Sequence, residues 1–178
     1  ITSPPYGGAQ KYVRSSSLSL GWLGLASSAQ LRPLEGQTIG REHYLKHEYT
    51  TYEPSGIPEA DSVLAPIYER YPLRAHIAAN YLREMHLACA EISRVLKPGG
   101  HAVVVIGNNQ VCGQPFLTSQ YLATIFQNLG LTLTFEGIDT IRSRGLMTKR
   151  NKTASMITCE SVLLLTKANT SGRSSFVG

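Results

Sequence analysis

The stretch from Leu73 to Asn109, LRAHIAANYLREMHLACAEISRVLKPGGHAVVVIGNN, limits the possible folds more than any other part of the chain. Ile77, Tyr81, Met85, Cys89, Ile92 and Leu96 recur at spacings of three and four, which puts them on one face of a helix. Pro72 suits the helix entry because its missing N–H is not needed there, and KPGG supplies the stop. HAVVVIGNN then reads as a short apolar strand of the kind buried on both faces of a parallel sheet.

A second helix is expected from about Pro115 to Leu129, with Leu117, Tyr121, Leu122, Ile125, Phe126 and Leu129 on one side and Gly130 closing it. LTLTFEGI alternates as a strand, and CESVLLLTK is another. The order helix, strand, helix, strand, loop, strand points to an α/β fold. It fits half of a doubly wound sheet finished by an antiparallel pair. Such a half sheet would leave an edge uncovered.

The remaining regions are less regular. From about Ala9 to Tyr71 the chain is mixed and turn-rich, with LRPLEGQTIG and EPSGIPEAD carrying Pro and Gly at spacings that interrupt regular structure. SLSLGWLGLA reads as a short helix in which Trp22 packs into the core. A connection this long inside one domain is expected to be a functional insertion that contacts substrate. Its tyrosines Tyr44, Tyr49 and Tyr52 are candidates to line a groove for bases. The tail 168–178 is small and polar and reads as disordered.

Charge is concentrated in one place. The 17 basic and 12 acidic residues give a net +5, and RSRGLMTKRNK holds five cations, Arg142, Arg144, Lys149, Arg150 and Lys152, with no acidic residue among them. The rest of the chain is balanced, so a polyanion site should be local. The loop 142–152 reads as a phosphate-contacting element. A solvated hairpin loop, or an arginine reading a guanine edge, remains the alternative.

The three cysteines are widely spaced and form no CxxC pair, which fits reduced intracellular thiols and neither a disulfide framework nor a zinc site. His43 and His47 lie four apart without acidic partners, so no metal site is expected. No apolar run approaches the length of a membrane span.

The chain begins ITSPPYGG. Two prolines fix the backbone and remove two donors, so nearby carbonyl oxygens can point outward in a rigid arrangement. With the Ser3 hydroxyl and the flat ring of Tyr6, such acceptors suit a planar group bearing an NH2. They would stabilise the cationic state an amine passes through as it is alkylated. An ordinary proline turn is the bland alternative.

TSPPY resembles the catalytic tetrapeptide of the S-adenosylmethionine-dependent amino-methyltransferases of DNA, and RVLKPGGHAVVVIGN resembles the helix-to-strand passage before the fifth strand of their fold. The resemblance implies a partial Rossmann-like class I methyltransferase fold over residues 1–167, with 9–71 as the insertion and 142–152 as the basic loop. It implies that Ser3 and the Pro4 carbonyl hold the target amine, that Pro5 stiffens the loop and that Tyr6 stacks on a flipped-out base. Methyl transfer would be direct, without a covalent intermediate. Serine in first place leans the target toward cytosine N4. Adenine N6, RNA bases, protein glutamine amides and a non-catalytic nucleic-acid-binding subunit stay open.

The resemblance also implies S-adenosylmethionine as cofactor, DNA as partner and a cytoplasmic enzyme of prokaryotic type. Its glycine-rich cofactor turn and acidic ribose ligand are absent from the sequence, and only Ile1 and Thr2 precede Ser3. The expectation is therefore a fragment, inactive alone, whose cofactor-binding half lies elsewhere on a parent chain or on a second subunit.

Overall fold

A computed structural model describes residues 1–7, 12–141 and 158–169. The expected amphipathic helix is α5 below, and its stripe organises the molecule. In chain order the helices are α1 (Tyr12–Ser15), α2 (Ser17–Trp22), α3 (Leu31–Glu35), α4 (Pro58–Arg70), α5 (Pro72–Val95) and α6 (Thr118–Asn128). The strands are β1 (His101–Ile106), β2 (Asn109–Val111), β3 (Gln114–Phe116), β4 (Leu131–Thr140) and β5 (Cys159–Lys167).

The main sheet has the order β1-β5-β4, with both contacts antiparallel. On the free edge of β1, Thr2 forms a parallel bridge with Val104, donating its N–H to the Val103 carbonyl at 2.9 Å and accepting from the Val105 N–H at 3.0 Å. Thr2, β1 and β4 therefore run one way, and β5, last in the chain, is reversed between the latter two.

The sheet corrects in part the expectation of a strand buried on both faces of a parallel sheet: β1 has Thr2 parallel on one edge and β5 antiparallel on the other. β1 alternates: Ala102, Val104 and Ile106 are buried, while Val103 and Val105 are half-buried. Leu163 and Leu165 of β5 continue the buried face. The run VVVI made the strand look uniformly interior, because apolar content alone does not say whether one face or two are covered.

The covered face packs against the helices. Ile77, Tyr81, Met85 and Cys89 of α5, and Tyr121, Leu122, Ile125 and Phe126 of α6, are buried in one cluster with β1 and β5. Full burial of such side chains contributes about 1.5–3 kcal/mol each, which makes this cluster the main source of stability. The turn after α5 joins the layers: Gly99 takes φ +71°, and the Lys167 ammonium donates to the Ser93 and Leu96 carbonyls at 2.6 and 3.0 Å. Those carbonyls would otherwise end the helix unpaired.

Two local expectations are corrected. The second helix starts at Thr118, because Gln114–Phe116 instead pairs with Asn109–Val111 as a hairpin. Its turn places Cys112 and Gly113 at φ 51° and 84°, the left-handed pair that a two-residue hairpin needs. The segment read as turn-rich through Tyr71 contains the 13-residue α4. Pro58 sits at its start, and Asp61 accepts from the Ser55 N–H at 2.7 Å and the Tyr52 hydroxyl at 2.9 Å. Pro66 inside it hid the helical period.

Trp22 also departs from its expected core position: it is 86% exposed, and no residue of α2 is buried. The basic loop with Arg142, Arg144, Lys149, Arg150 and Lys152 lies outside the described residues, as does nearly all of the tail 168–178.

Candidate functional site

Ser3, Pro4, Pro5 and Tyr6 follow directly from the Thr2 bridge, so the tetrapeptide leaves the sheet where Thr2 and β1 both end. In α/β sheets, loops at the carboxyl ends of parallel strands are the usual ligand-binding position. Here that end also receives the start of β5, since Ile106 pairs with Ser161.

Three contacts clamp the loop. The Tyr81 hydroxyl of α5 donates to the Pro5 carbonyl at 2.9 Å. The Asn109 side-chain amide donates to the Gly7 carbonyl at 2.8 Å. The Tyr6 hydroxyl crosses the end of β1 and donates to Glu160 Oε1 of β5 at 2.5 Å. The backbone N–H of Tyr6 meets the Tyr12 hydroxyl at 3.3 Å, which ties α1 to the same loop.

Gly7 is required by a close approach. A Cβ there would stand 2.9 Å from the ring of Tyr81, so the loop lies directly on that ring. Gly40 reaches the same place from the long segment, at φ +79°, and its N–H donates to Glu84 at 3.1 Å. Asn80 completes the anchor, donating to Glu84 at 2.8 Å and to the Tyr44 hydroxyl at 2.7 Å. One face of α5 thus holds both the tetrapeptide and residues 40–44 beside it.

The four tetrapeptide positions are not equivalent. The Pro5 carbonyl is taken by Tyr81, which corrects the expectation that the loop's carbonyls lack intrachain partners. Among the described residues, the Pro4 carbonyl accepts no hydrogen bond. Ser3 is exposed, and its Oγ donates a long 3.5 Å bond to the Tyr6 hydroxyl, which leaves its own lone pairs available. The acceptors expected to meet an amine are therefore the ones left open.

Burial, and then the hydrogen bond to Glu160, pushes the Tyr6 hydroxyl up to about 12. At neutral pH it stays protonated and donates to the carboxylate. Its ring is fixed in orientation, held at the hydroxyl by β5 and at the backbone by Tyr12.

The three tyrosines of the long segment serve packing. Tyr44 stands edge-on to His76 at 4.6 Å between ring centres, with the Arg41 guanidinium 4.1 Å over its face. Tyr52 packs on Tyr68 at 5.3 Å, and the Tyr68 hydroxyl donates to the Tyr49 carbonyl at 2.9 Å. These contacts fasten the segment to α4 and α5 and leave Tyr44, Tyr49 and Tyr52 half-buried.

Glu160, Tyr81 and Asn109 were not singled out as site residues by the sequence. Tyr81 carried a signal only as a member of the buried stripe. Glu160 is the one carboxylate in the strand CESVLLLTK, just before its apolar run, and that was the signal available.

The described residues do not fit the main cradle of S-adenosylmethionine. β1 is followed by Gly107 and Asn108 before β2 begins, and Asn108 is spent accepting from the Ser119 N–H at 2.9 Å, capping α6. Glu160, the carboxylate at this end of β5, is engaged by Tyr6. At this end β1 leads into a hairpin and not through a glycine turn into a helix, and the exposed Asp139 near the end of β4 is separated from β1 by β5. Among the described residues no group of three His, Cys, Asp or Glu side chains is placed to share a metal ion, and no helix is long and apolar enough to cross a membrane.

No protein-family model matches the chain, and no curated protein matches it. Among solved structures it is similar to a candidate DNA modification methylase from Thermus thermophilus, with 18% identity and a TM-score of 0.38. The match covers 62% of this chain and 50% of that one, so the chain spans about half the length of that protein.

Proposed function

We propose that this chain carries the amine-binding part of an S-adenosylmethionine-dependent methyltransferase acting on an exocyclic amino group of a DNA base, cytosine N4 foremost. The observation that supports this most is the state of the tetrapeptide loop. Tyr81, Asn109 and Glu160 immobilise it, yet the Pro4 carbonyl and the Ser3 lone pairs remain open. Rigid, unspent acceptors are what a planar amine needs.

In this reading the target amine donates one N–H to the Pro4 carbonyl and the other to Ser3 Oγ. Ser3 leans on the Tyr6 hydroxyl and Tyr6 on the Glu160 carboxylate, so each hydroxyl is polarised by the next. That chain ends in a negative charge and strengthens Ser3 as an acceptor while the amine gains cationic character. Tyr6, its ring orientation fixed, faces the plane of the base. Residues 40–44, held on the same face of α5, form the adjoining wall, and the cations of 142–152 supply phosphate contacts. Serine in first position favours cytosine over adenine, by resemblance to the N4-cytosine branch.

The donor's cradle comes, in this proposal, from residues outside these 178, on the same polypeptide or on a second subunit. The test is nucleoside mass spectrometry of DNA from cells expressing the complete protein. N4-methylcytosine is expected, and Tyr6→Ala should abolish it with the far-UV circular dichroism unchanged. Continued methylation by Tyr6→Ala would overturn the assignment.

A further inference from the structure

Four strongly exposed large apolar side chains lie together in one short stretch of chain. Trp22 is 86% exposed, Leu18 79%, Leu25 68% and Leu23 67%. Leu18, Ser19, Trp22 and Leu23 line one shallow depression on α2. Such a patch is too apolar to be ordinary surface.

Two further observations say what covers it. First, charge: residues 1–34 contain no Asp or Glu at all, while Lys11, Arg14 and Arg32 are basic and Ser15, Ser16, Ser17 and Ser19 flank the patch with hydroxyls. A polyanion with flat apolar faces matches both halves of that composition, the cations and the apolar side chains. Second, position: the Tyr12 hydroxyl at the start of α1 is bonded to the backbone of Tyr6. About ten residues of nearly continuous helix, at roughly 1.5 Å each, put Trp22 about 15 Å further on, the reach of a few nucleotides of single strand.

We propose that Trp22, with Leu18 and Leu23 beside it, is a stacking platform for an unpaired base a few nucleotides away from the base that enters the Ser3–Tyr6 loop. The inference rests on the nucleic-acid reading above and adds a second contact point to it. Trp22 works as a sequence-tolerant anchor because every base offers a π-face. Ser16, Ser19 and Arg14 meet the adjoining phosphates, the Ser15 and Ser17 hydroxyls being spent on the Tyr12 and Arg14 carbonyls.

Trp22 is the only tryptophan in the sequence, so its fluorescence reports on this site alone. The full chain is titrated with a labelled single-stranded oligonucleotide, with binding followed by anisotropy of the label. Tryptophan emission and its quenching by acrylamide are followed in parallel. Saturation should quench Trp22 emission and shield it from acrylamide. Trp22→Ala should weaken binding about ten-fold, the size of one lost base stack, and Trp22→Phe should recover most of it. Because Trp22 is exposed, its replacement should leave the circular dichroism unchanged.

Oligonucleotide binding with unaltered Trp22 emission and acrylamide access would overturn the platform, as would no binding at low salt. Shielding that grows with protein concentration in the absence of oligonucleotide would assign the patch to a second copy of the chain instead. The two proposals fail separately. Methylation lost in Tyr6→Ala with a silent Trp22 removes the platform and spares the enzyme. A Trp22 response without any methylated base removes the enzyme and spares the binding surface.

Discussion

Two parts of this chain treat apolar side chains in opposite ways. Between Pro72 and Lys167 the stripes of α5 and α6 close on the buried faces of β1 and β5, and Tyr81, Leu82, Met85, Leu122, Ile125, Leu163 and Leu165 are all buried. Between Ser17 and Leu25, Leu18, Trp22, Leu23 and Leu25 stand in solvent. The same residue types stabilise the fold in the first region and contribute nothing to it in the second, because the hydrophobic effect rewards area removed from water and not apolar content. Composition alone would have ranked the two stretches alike.

The sharpest test of that contrast is in the middle of the sheet. Leu163→Ala removes a fully buried side chain from the strand that joins β1 and β4. It should cost about 2–5 kcal/mol, read as a large drop in the urea midpoint. A loss below about 1 kcal/mol would mean the sheet core is looser than its burial indicates. Next in size is Gly7→Ala, where the added methyl meets the Tyr81 ring at 2.9 Å. Displacing the ring or lifting the loop should cost about 1–3 kcal/mol by the same measurement. An unchanged midpoint would show that the tetrapeptide is not seated on α5. Smallest is Leu18→Ser on the exposed face of α2, expected to move stability by no more than about 0.5 kcal/mol in either direction. A fall like that of Leu163→Ala would break the comparison, because it would show Leu18 to be buried.

Where the sequence was legible, periodicity made it so. The stripes through Ile77, Tyr81, Met85 and Cys89 and through Tyr121, Leu122, Ile125 and Phe126 are long enough to fix face and phase, and both helices carry them, α6 starting three residues later than expected. KPGG marked the end of α5 because glycine suits the left-handed position after it. Short elements left no such trace. The hairpin Asn109–Phe116 has three-residue strands, and Pro115 inside one of them argued for a helix start. β1 revealed its apolar character but not its partners, because its antiparallel pairing is with β5, a strand far later in the chain.

The candidate site divides the same way. Ser3 to Tyr6 could be named as candidates from the sequence, because two prolines between a hydroxyl and an aromatic ring stand in consistent order with the helix-to-strand passage at KPGG. Glu160 and Asn109 could not, because what makes them part of the site is contact with Tyr6 and Gly7 across the fold. The tyrosines of the long segment show the reverse. An aromatic ring near charged residues in sequence looks available, and Tyr44 becomes a packing element only once α5 supplies His76 and Asn80.

The position of β5 bears on the order of events during synthesis. It is the last described strand to be made and the one on which both β1 and β4 depend for backbone partners. Until it arrives, the helices α5 and α6 can collapse on one another through local contacts, but two strands wait with open edges. The slow step of folding should therefore be the insertion of β5 between strands already present, a non-local pairing that carries a large loop-closure entropy.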